Sequence, residues 1–334
     1  MTVLDQVRQT FTLERLPANI RISKLLGSLP ILRRCSALPT RIRLIPAEGS
    51  FYYRTKQDSK KVLFNGRNLQ FHALYDVQYK YGYELETACL LATLCKGNRP
   101  LFDIGANWGY FSLLAAALPA FSGSIFAFEP NPRTFADLMR TIEQAGVAGR
   151  VHPSNIGLGR SACEMVVDEI DSWNTGLSRL ANAGAGTRVA VKPIDMLEFG
   201  APGTIKIDAE GMELDILSGA SNTLSNAKPY LVFENFLDYR APQRTYDVFD
   251  FLLAHNYSVF VPVLRFSIAG SPVVSTYGQD FTLLADQDPN PQIGAVEVSR
   301  DRRFLFNDQL NLLGVPSDRI GDLWSAGVLN MGQI

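Results

Sequence analysis

From residue 101 onward the sequence alternates between short apolar runs and segments with helical periodicity. LFDIG is followed by YFSLLAAALPA, and SIFAFEP is followed by PRTFADLMRTIEQAG, which begins at Pro132 and ends at Gly146. The alternation continues through TIKIDAEG, YLVFENF and YSVFVPV. Strands that alternate with helices of about ten to fifteen residues predict a parallel sheet covered on both faces. The predicted class is therefore α/β, with a doubly wound and mostly parallel sheet.

The bulk properties of the chain limit the kind of partner it can have. Its 334 residues are 46% hydrophobic and carry a formal net charge of −1. Such a chain can bury a large core but has no overall field for nucleic acid, so we predict no nucleic-acid partner. No apolar run approaches the length of a membrane span, and the charged start lacks the apolar stretch of a signal peptide. Four scattered cysteines without a CxxC pair predict reduced thiols in a cytoplasmic protein.

The segment FDIGANWGYFS, residues 102–112, joins the first strand of the series to a helix. Ligands of doubly wound sheets bind at the carboxyl ends of the strands, where this turn lies. Gly105 and Gly109 allow close approach of the backbone, and Asn107 tolerates a left-handed conformation. Glu129 ends the next strand, where an acid can accept hydrogen bonds from both hydroxyls of a ribose. A dinucleotide and S-adenosylmethionine both fit this pattern.

Asp103 favours S-adenosylmethionine. A carboxylate two residues before the first glycine would repel a pyrophosphate, whereas the methionine end of S-adenosylmethionine carries an ammonium and a sulfonium. The spacing D-x-G-x-x-x-G also departs from the G-x-G-x-x-G of dinucleotide sites. An NAD(P)-dependent oxidoreductase, a cofactor-binding protein without turnover, and an ordinary turn without ligand remain alternatives.

Three motifs in order, FDIGANWGYFS, FAFEPNP and IKIDAEGMELDILSGA, resemble the FkbM family of class I S-adenosylmethionine-dependent methyltransferases. The resemblance covers roughly residues 80–286. The family acts largely on hydroxyls of sugars and polyketide-type natural products. The resemblance implies a Rossmann-like, seven-stranded sheet with a reversed last hairpin, in which FTLLA, residues 281–285, is the antiparallel strand. It also implies an N-terminal cap at residues 1–68, a methyltransferase domain at 69–286 and a short C-terminal extension at 287–334.

The resemblance assigns cofactor contacts to seven positions. The methionine part would be held by Asp103, Gly105, Asn107 and Gly109, the ribose by Glu129, the adenine edge by Asn155 and the ammonium by Glu84.

The segment KIDAEG, at the end of the fourth strand, supplies the catalytic candidates. Methyl transfer requires an aligned acceptor oxygen and removal of its proton. Period-two alternation places Lys206 and Asp208 on one face of the strand. We predict that Asp208 is the base or orients the acceptor and that Lys206 sets its charge, with Glu210 as second candidate. The alternative is a structural ion pair beside acids that suit a helix N-terminus.

Several other side chains are weaker candidates. His72 is a possible base, whereas His152 and His255 are expected to pack or cap. We predict no metal, because carboxylates at these spacings are a poor metal signal. Glu234 would shape the acceptor pocket, and residues 171–180 are a possible lid whose Trp173 stacks on a sugar or fills core. The motif DAEG replaces the [D/N]-P-P-[Y/F] of nucleic-acid amino-methyltransferases.

Residues 1–45 carry a basic excess. We interpret them as a solvated helical cap in preference to a surface for an acidic partner or a lipid headgroup. The sequence as a whole predicts an S-adenosylmethionine-dependent O-methyltransferase whose acceptor is a hydroxyl of a sugar, glycan or other small molecule.

Overall fold

In this computed structural model the residues described are 3–42, 44–76, 79, 81–168, 179–181, 186–209, 211–276 and 281–325. The strands are β1 Phe11–Arg15, β2 Glu48–Arg54, β3 Ser59–Asn65, β4 Leu101–Ile104, β5 Ile125–Phe128, β6 Val151–Ser154, β7 Gly157–Leu158, β8 Cys163–Asp168, β9 Arg179–Ala181, β10 Thr187–Lys192, β11 Thr204–Ile207, β12 Tyr230–Phe236, β13 Tyr257–Ile268, β14 Ser271–Ser275, β15 Gln292–Glu297 and β16 Gln309–Pro316.

The α-helices are α1 Val3–Thr10, α2 Ala18–Ser28, α3 Leu38–Arg41, α4 Leu85–Leu94, α5 Tyr110–Ala117, α6 Pro132–Ala145, α7 Glu213–Ser218, α8 Ser221–Asn226, α9 Pro242–Ala254, α10 Phe281–Gln287 and α11 Ile320–Ser325. Short 3₁₀ helices occur at Arg33–Cys35, Leu69–Leu74, Ile194–Met196, Arg300–Leu305 and Ser317–Arg319.

A nine-stranded mixed sheet organises the main body. Its strand order is β14-β13-β16-β12-β11-β4-β5-β6, with β15 also paired to β13. Five neighbouring strands, β12, β11, β4, β5 and β6, are parallel to one another. Strand β16 lies between β12 and β13 and is antiparallel to both. All four residues of β4 and of β11 are buried, as expected for central parallel strands covered on both faces. The prediction of an α/β fold with a large sheet is confirmed.

Two details of the predicted sheet are wrong. The sheet has nine strands instead of seven, because β14 and β15 extend it beyond β13. The segment FTLLA begins helix α10, and the antiparallel strand beside β12 is β16. Sheet pairing therefore continues well past residue 286, where the predicted methyltransferase domain ends.

The N-terminal residues form a second, three-stranded sheet in the order β1-β2-β3. Strand β3 contacts α6, and α1 contacts α4. The buried Tyr53 donates a hydrogen bond to the carbonyl oxygen of Leu113 in α5 at 3.1 Å. A third sheet, in the order β7-β10-β8-β9, follows the end of β6. The third sheet adjoins the carboxyl ends of the parallel strands, since its Leu158, Val167 and Leu180 line the cavity described next.

The helix boundaries follow local sequence signals. The Asn131 side chain accepts a hydrogen bond from the backbone amide of Arg133 and caps α6, whose first residue is Pro132. The same helix ends at Gly146, which is left-handed with φ of 70°. None of the helices in the described ranges is both apolar enough and long enough to cross a bilayer.

Candidate active site

A cavity of about 310 Å³ opens along the carboxyl ends of the parallel strands. Its wall near β5 and β6 is mostly apolar, and it includes Phe128, Ile156 and Leu158. Its wall near β11, β12 and β16 is polar and includes Lys206, Asp208, Glu234 and Gln309, with Glu84 beside them. The cavity is large enough for a small organic ligand, and its two ends differ in chemistry.

Residues 105–108 line the middle of the cavity, whereas Gly109, a predicted cofactor contact, does not. The five backbone amides of residues 105–109 all donate hydrogen bonds within the chain. The amides of Gly105 and Ala106 donate to the Phe128 carbonyl, both at 3.0 Å. The Asn107 amide donates to the Glu129 carboxylate at 3.0 Å, and the Trp108 amide donates to the Asn107 side chain at 2.9 Å. The Gly109 amide donates to the carbonyl of Ala106.

Three residues of this turn have the left-handed backbone that the sequence predicts. The φ angles are 72° at Gly105, 52° at Asn107 and 97° at Gly109. At Gly105 a Cβ atom would lie 1.7 Å from the carbonyl oxygen of Asp208, so only glycine allows the turn to approach β11 this closely.

Glu129 lies in the cavity wall and is 7% exposed. One carboxylate oxygen accepts from the amide of Asn107 at 3.0 Å, and the other accepts from the amide of Asn131 at 2.8 Å. Burial nevertheless raises the pKa of Glu129 to about 7. Asn155 does not line the cavity; its amide group donates to the carbonyl oxygens of Glu129 and Pro130 at 2.8 and 3.0 Å. Asn155 thus fixes the turn that carries Glu129.

Asp103, Lys206 and Asp208 form a buried charge cluster where β4 and β11 pair side by side. Lys206 Nζ lies 3.1 Å from Asp208 Oδ2 and 3.7 Å from Asp103 Oδ1. Asp103 is completely buried, accepts a 2.6 Å hydrogen bond from Ser112 and does not line the cavity. Asp103 therefore lies behind the cavity wall, and its direct contact with a ligand stays a prediction. Its carboxylate reaches the site only through Lys206.

The charge state of Lys206 follows from this cluster. Burial alone would lower the pKa of Lys206, but the carboxylates of Asp208, Asp103 and Glu84 outweigh that effect and raise it. Nζ also lies 4.9 Å from the centre of the Phe111 ring. Lys206 is therefore a permanent cation, and the predicted ion pair with Asp208 is present. Asp208 itself lines the cavity, with 30% of its side chain exposed.

We expect Lys206→Met to lower the free energy of unfolding by about 3 kcal/mol or more, because it leaves the buried carboxylate of Asp103 and the partly buried carboxylate of Asp208 without their cation. Urea titration measures this loss. The matched control is Lys228→Met, which removes an exposed ion pair with Asp318 and is expected to cost less than about 1 kcal/mol. Equal losses in the two variants would contradict a structural role for the buried cluster.

Glu84 and Glu86 add two more acids at the start of α4. Glu84 is left-handed with φ of 38°, lines the cavity and accepts a 3.1 Å hydrogen bond from Asn311. Burial and the nearby charge of Asp208 raise the pKa of Glu84 to about 7. Glu86 is buried behind it, and burial together with Glu84 raises its pKa to about 8. This end of the site can therefore hold a proton near neutral pH.

Two cavity or near-cavity residues were missed by sequence reasoning because they lie in β16. Gln309 lines the cavity and donates a hydrogen bond to Glu234, and Asn311 holds Glu84. The alternation of polar and apolar residues in QLNLL was the available signal for a strand there. An aromatic wall was also missed; it comprises Tyr79, Tyr83, Tyr110 and Phe111.

The remaining candidates fall in different places. His72 lines the cavity, and burial lowers its pKa, so it is neutral at pH 7. His152 stacks near Phe126, and the ring of His255 contacts the carbonyl of Phe251, both away from the cavity lining. Glu210 and residues 171–178, including Trp173, lie outside the described residues. Within the described ranges no cluster of His, Cys, Asp and Glu has the arrangement of a metal site.

Comparison with known proteins finds a family model that is similar to the region carrying this site. Residues 103–259 match the model of the methyltransferase FkbM domain. The matched range contains the glycine turn, Glu129 and the Lys206–Asp208 pair, whereas Glu84, Gln309 and Asn311 are contributed from outside it. The matched region therefore supplies the centre of the cavity and part of its polar end, and flanking segments supply the rest of that end.

A curated relative is the hexuronic acid methyltransferase AglP of Haloferax volcanii, 29% identical over 152 residues. The match covers 45% of this chain and 61% of that protein, so this chain spans less than two thirds of the relative. Two solved structures overlap with the chain. A precorrin-6y C5,15-methyltransferase from Geobacter metallireducens has 16% identity and a TM-score of 0.36, covering 70% of this chain and 87% of that one. Methyltransferase FkbM from Methylobacillus flagellatus has 17% identity and a TM-score of 0.38, with 75% and 57% covered. Structural similarities with TM-scores of 0.36 and 0.38 carry no argument about activity.

Proposed function

We propose that the protein is an S-adenosylmethionine-dependent O-methyltransferase whose acceptor is a neutral hydroxyl of a sugar or glycan. The observation that carries the proposal is that one cavity contains both carboxylate side chains and a turn whose backbone amides are all hydrogen-bonded within the chain. All five amides of residues 105–109 already have partners within the chain, so the turn offers no donors to a pyrophosphate. A cationic, ribose-containing ligand needs acids instead, and Glu129, Glu84 and Asp208 line the same cavity.

The residues present fit S-adenosylmethionine. Glu129 would hold the ribose hydroxyls, Glu84 would hold the ammonium, and the apolar wall of Phe128, Ile156 and Leu158 would cover the adenine. The glycine turn would pass beside the methionine part, with Asp103 acting through Lys206. When bound, the cofactor supplies an electrophilic methyl group on a sulfonium.

Asp208 is the proposed acceptor of the hydroxyl proton. It lies in the cavity with an exposed edge, at the end of the strand beside the glycine turn. Lys206 Nζ, 3.1 Å from Asp208 Oδ2, fixes the orientation of the carboxylate. Glu84 is the second candidate, because its pKa of about 7 suits a base at neutral pH. We treat Lys206 as a positioning residue, and Glu210 keeps the role of a third candidate from sequence alone.

The charge of the polar end limits the acceptor. The relative AglP is named for a hexuronic acid, whose carboxylate is negative at neutral pH. In this chain the described side chains at the polar end include Glu84, Asp208 and Glu234, and the cation among them, Lys206, is already paired with two aspartates. An acidic sugar would be repelled there, so a neutral hydroxyl is the better acceptor.

Two measurements on the full chain test the proposal. Calorimetry with S-adenosylhomocysteine tests the cofactor, and we expect a saturable heat; no heat above background would overturn the proposal. Transfer of a radiolabelled methyl group is then compared for matched pairs of neutral glycosides and uronides. We expect the neutral member of each pair to be methylated faster. Preference for the uronide would reject the acceptor assignment alone. Reduction of a nicotinamide cofactor without binding of S-adenosylhomocysteine would favour an oxidoreductase.

A further inference from the structure

An unusual surface lies in residues 16–47, which we name the basic apolar segment. It contains no Asp or Glu, no aromatic residue and six basic residues: Arg21, Lys24, Arg33, Arg34, Arg41 and Arg43. Of the sixteen large hydrophobic side chains that are exposed in the described ranges, eight belong to this segment: Ile22, Leu25, Leu29, Ile31, Leu32, Leu38, Ile42 and Leu44. Such a concentration of exposed apolar side chains marks an interaction surface.

The segment is a folded part of the body. Asn19 is completely buried, and its side chain donates to the Gly66 carbonyl at 3.0 Å. At the other end Arg67 donates to the carbonyl oxygens of Ile42 and Ile45 at 3.1 and 2.9 Å. Between these anchors α2 contacts both the 3₁₀ helix 33–35 and α3. The exposed side chains therefore project from a fixed scaffold.

Helix α2 has a buried face and an exposed apolar stripe. Asn19, Ile20 and the half-buried Leu26 face the protein. Ile22, Leu25 and the C-terminal Leu29 are exposed and recur at helical spacing, with Arg21 and Lys24 at their border. The outermost side chains of the segment are Ile31 and Leu44, which are 92% and 93% exposed. Apolar side chains flanked by basic ones on an exposed face are the pattern of a helix that lies in a membrane interface.

We propose that the basic apolar segment binds the surface of an anionic lipid bilayer. A bilayer satisfies both features at once, since the acyl region takes the leucines and isoleucines and the headgroups take the arginines. A nucleic acid would leave the apolar side chains without partners and would find no aromatic ring for stacking. A second copy of this chain, docked about a two-fold axis, would bring the same basic side chains against one another. The interpretation as a merely solvated cap does not account for the exposed leucines and isoleucines.

The surface adjoins the cavity through one 3₁₀ helix. Lys24 Nζ donates to the Tyr75 carbonyl at 2.7 Å, and Tyr75 ends the 3₁₀ helix 69–74. Gln70 and His72 of that helix line the cavity. Lipid binding would therefore hold the entrance region of the active site near the bilayer.

Sedimentation of the full chain with vesicles tests the proposal. We expect binding to phosphatidylcholine vesicles that contain phosphatidylglycerol, weakening in high salt, and much weaker binding to pure phosphatidylcholine. The Arg33→Glu/Arg34→Glu variant is expected to bind at least about 25-fold more weakly, at about fivefold for each positive charge lost. The Ile31→Asp/Leu44→Asp variant is expected to lose about tenfold or more.

Matched controls alter other strongly exposed positions outside the basic apolar segment. Leu253 and Leu305 are 72% and 80% exposed, and Leu253→Asp/Leu305→Asp is expected to bind as the unchanged protein does. Arg240→Glu/Arg302→Glu serves the same purpose for charge. Three results would overturn the proposal: no sedimentation with anionic vesicles, binding that ignores the Ile31→Asp/Leu44→Asp change, or a lipid-free dimer that this variant dissociates. The first two exclude apolar insertion, and the third assigns the surface to a second copy.

Discussion

Replacing Asp208 with asparagine is expected to lower kcat about a hundredfold or more, with cofactor affinity held within a few fold. The change is nearly isosteric, but an amide cannot take the proton of an acceptor hydroxyl, and positioned bases contribute about 10²–10⁴-fold. Asparagine also ends the ion pair with Lys206 at 3.1 Å. The loss should therefore appear in kcat much more than in the binding of S-adenosylhomocysteine.

Single-turnover methyl transfer and calorimetry measure the two quantities separately. Glu84→Gln is the informative companion, because Glu84 shares the cavity and has a pKa of about 7. A normal rate for Asp208→Asn together with a collapsed rate for Glu84→Gln would transfer the base to Glu84. Urea titration of both variants shows whether either loss comes from unfolding.

Gly105→Ala is expected to abolish cofactor binding and to lower the free energy of unfolding by about 3 kcal/mol or more. The added Cβ would lie 1.7 Å from the carbonyl oxygen of Asp208, which is rigid backbone, and the φ of 72° disfavours alanine in addition. Either the turn or the end of β11 has to move. Both form the wall of the cavity, so a shift there reaches the ligand directly.

Gly97→Ala is a closely matched control for that variant. Gly97 has φ of 70°, but a Cβ there would meet nothing within 4 Å. The Gly97→Ala variant therefore loses only the backbone term, about 1–2 kcal/mol of the free energy of unfolding, and should bind S-adenosylhomocysteine as the unchanged protein does. The close approach of the turn to β11 would be contradicted if the Gly105→Ala variant had the same free energy of unfolding as Gly97→Ala and kept its affinity for the cofactor.

The centre of the site could be predicted from sequence because its signals are local. The left-handed turn is encoded by Gly105, Asn107 and Gly109 within five residues, and period-two alternation correctly paired Lys206 with Asp208. The burial of Asp103 could not be predicted in the same way, because one of its partners is distant in sequence. Lys206 approaches Asp103 only once β4 and β11 are paired.

The contribution of β16 to the polar end of the cavity could not be predicted, for a different reason. A run of five residues such as FTLLA is too short to distinguish a helix from a strand. The sequence prediction assigned it as the antiparallel strand, a position that β16 occupies in the structure. Gln309 and Asn311 reach the site only through long-range antiparallel pairing. The exposed apolar side chains of the basic apolar segment were equally hidden, because composition does not report which leucines are covered.

The position of β16 has a consequence for the order of assembly. This strand is among the last described residues to be synthesised, yet it lies between β12 and β13 in the interior of the sheet. During translation β12 and β13 lack their common neighbour until the chain has grown past residue 316, so the nascent sheet presents two unpaired edges there. Because Gln309 and Asn311 arrive on the same strand, the nascent chain acquires its complete cavity only with that last insertion.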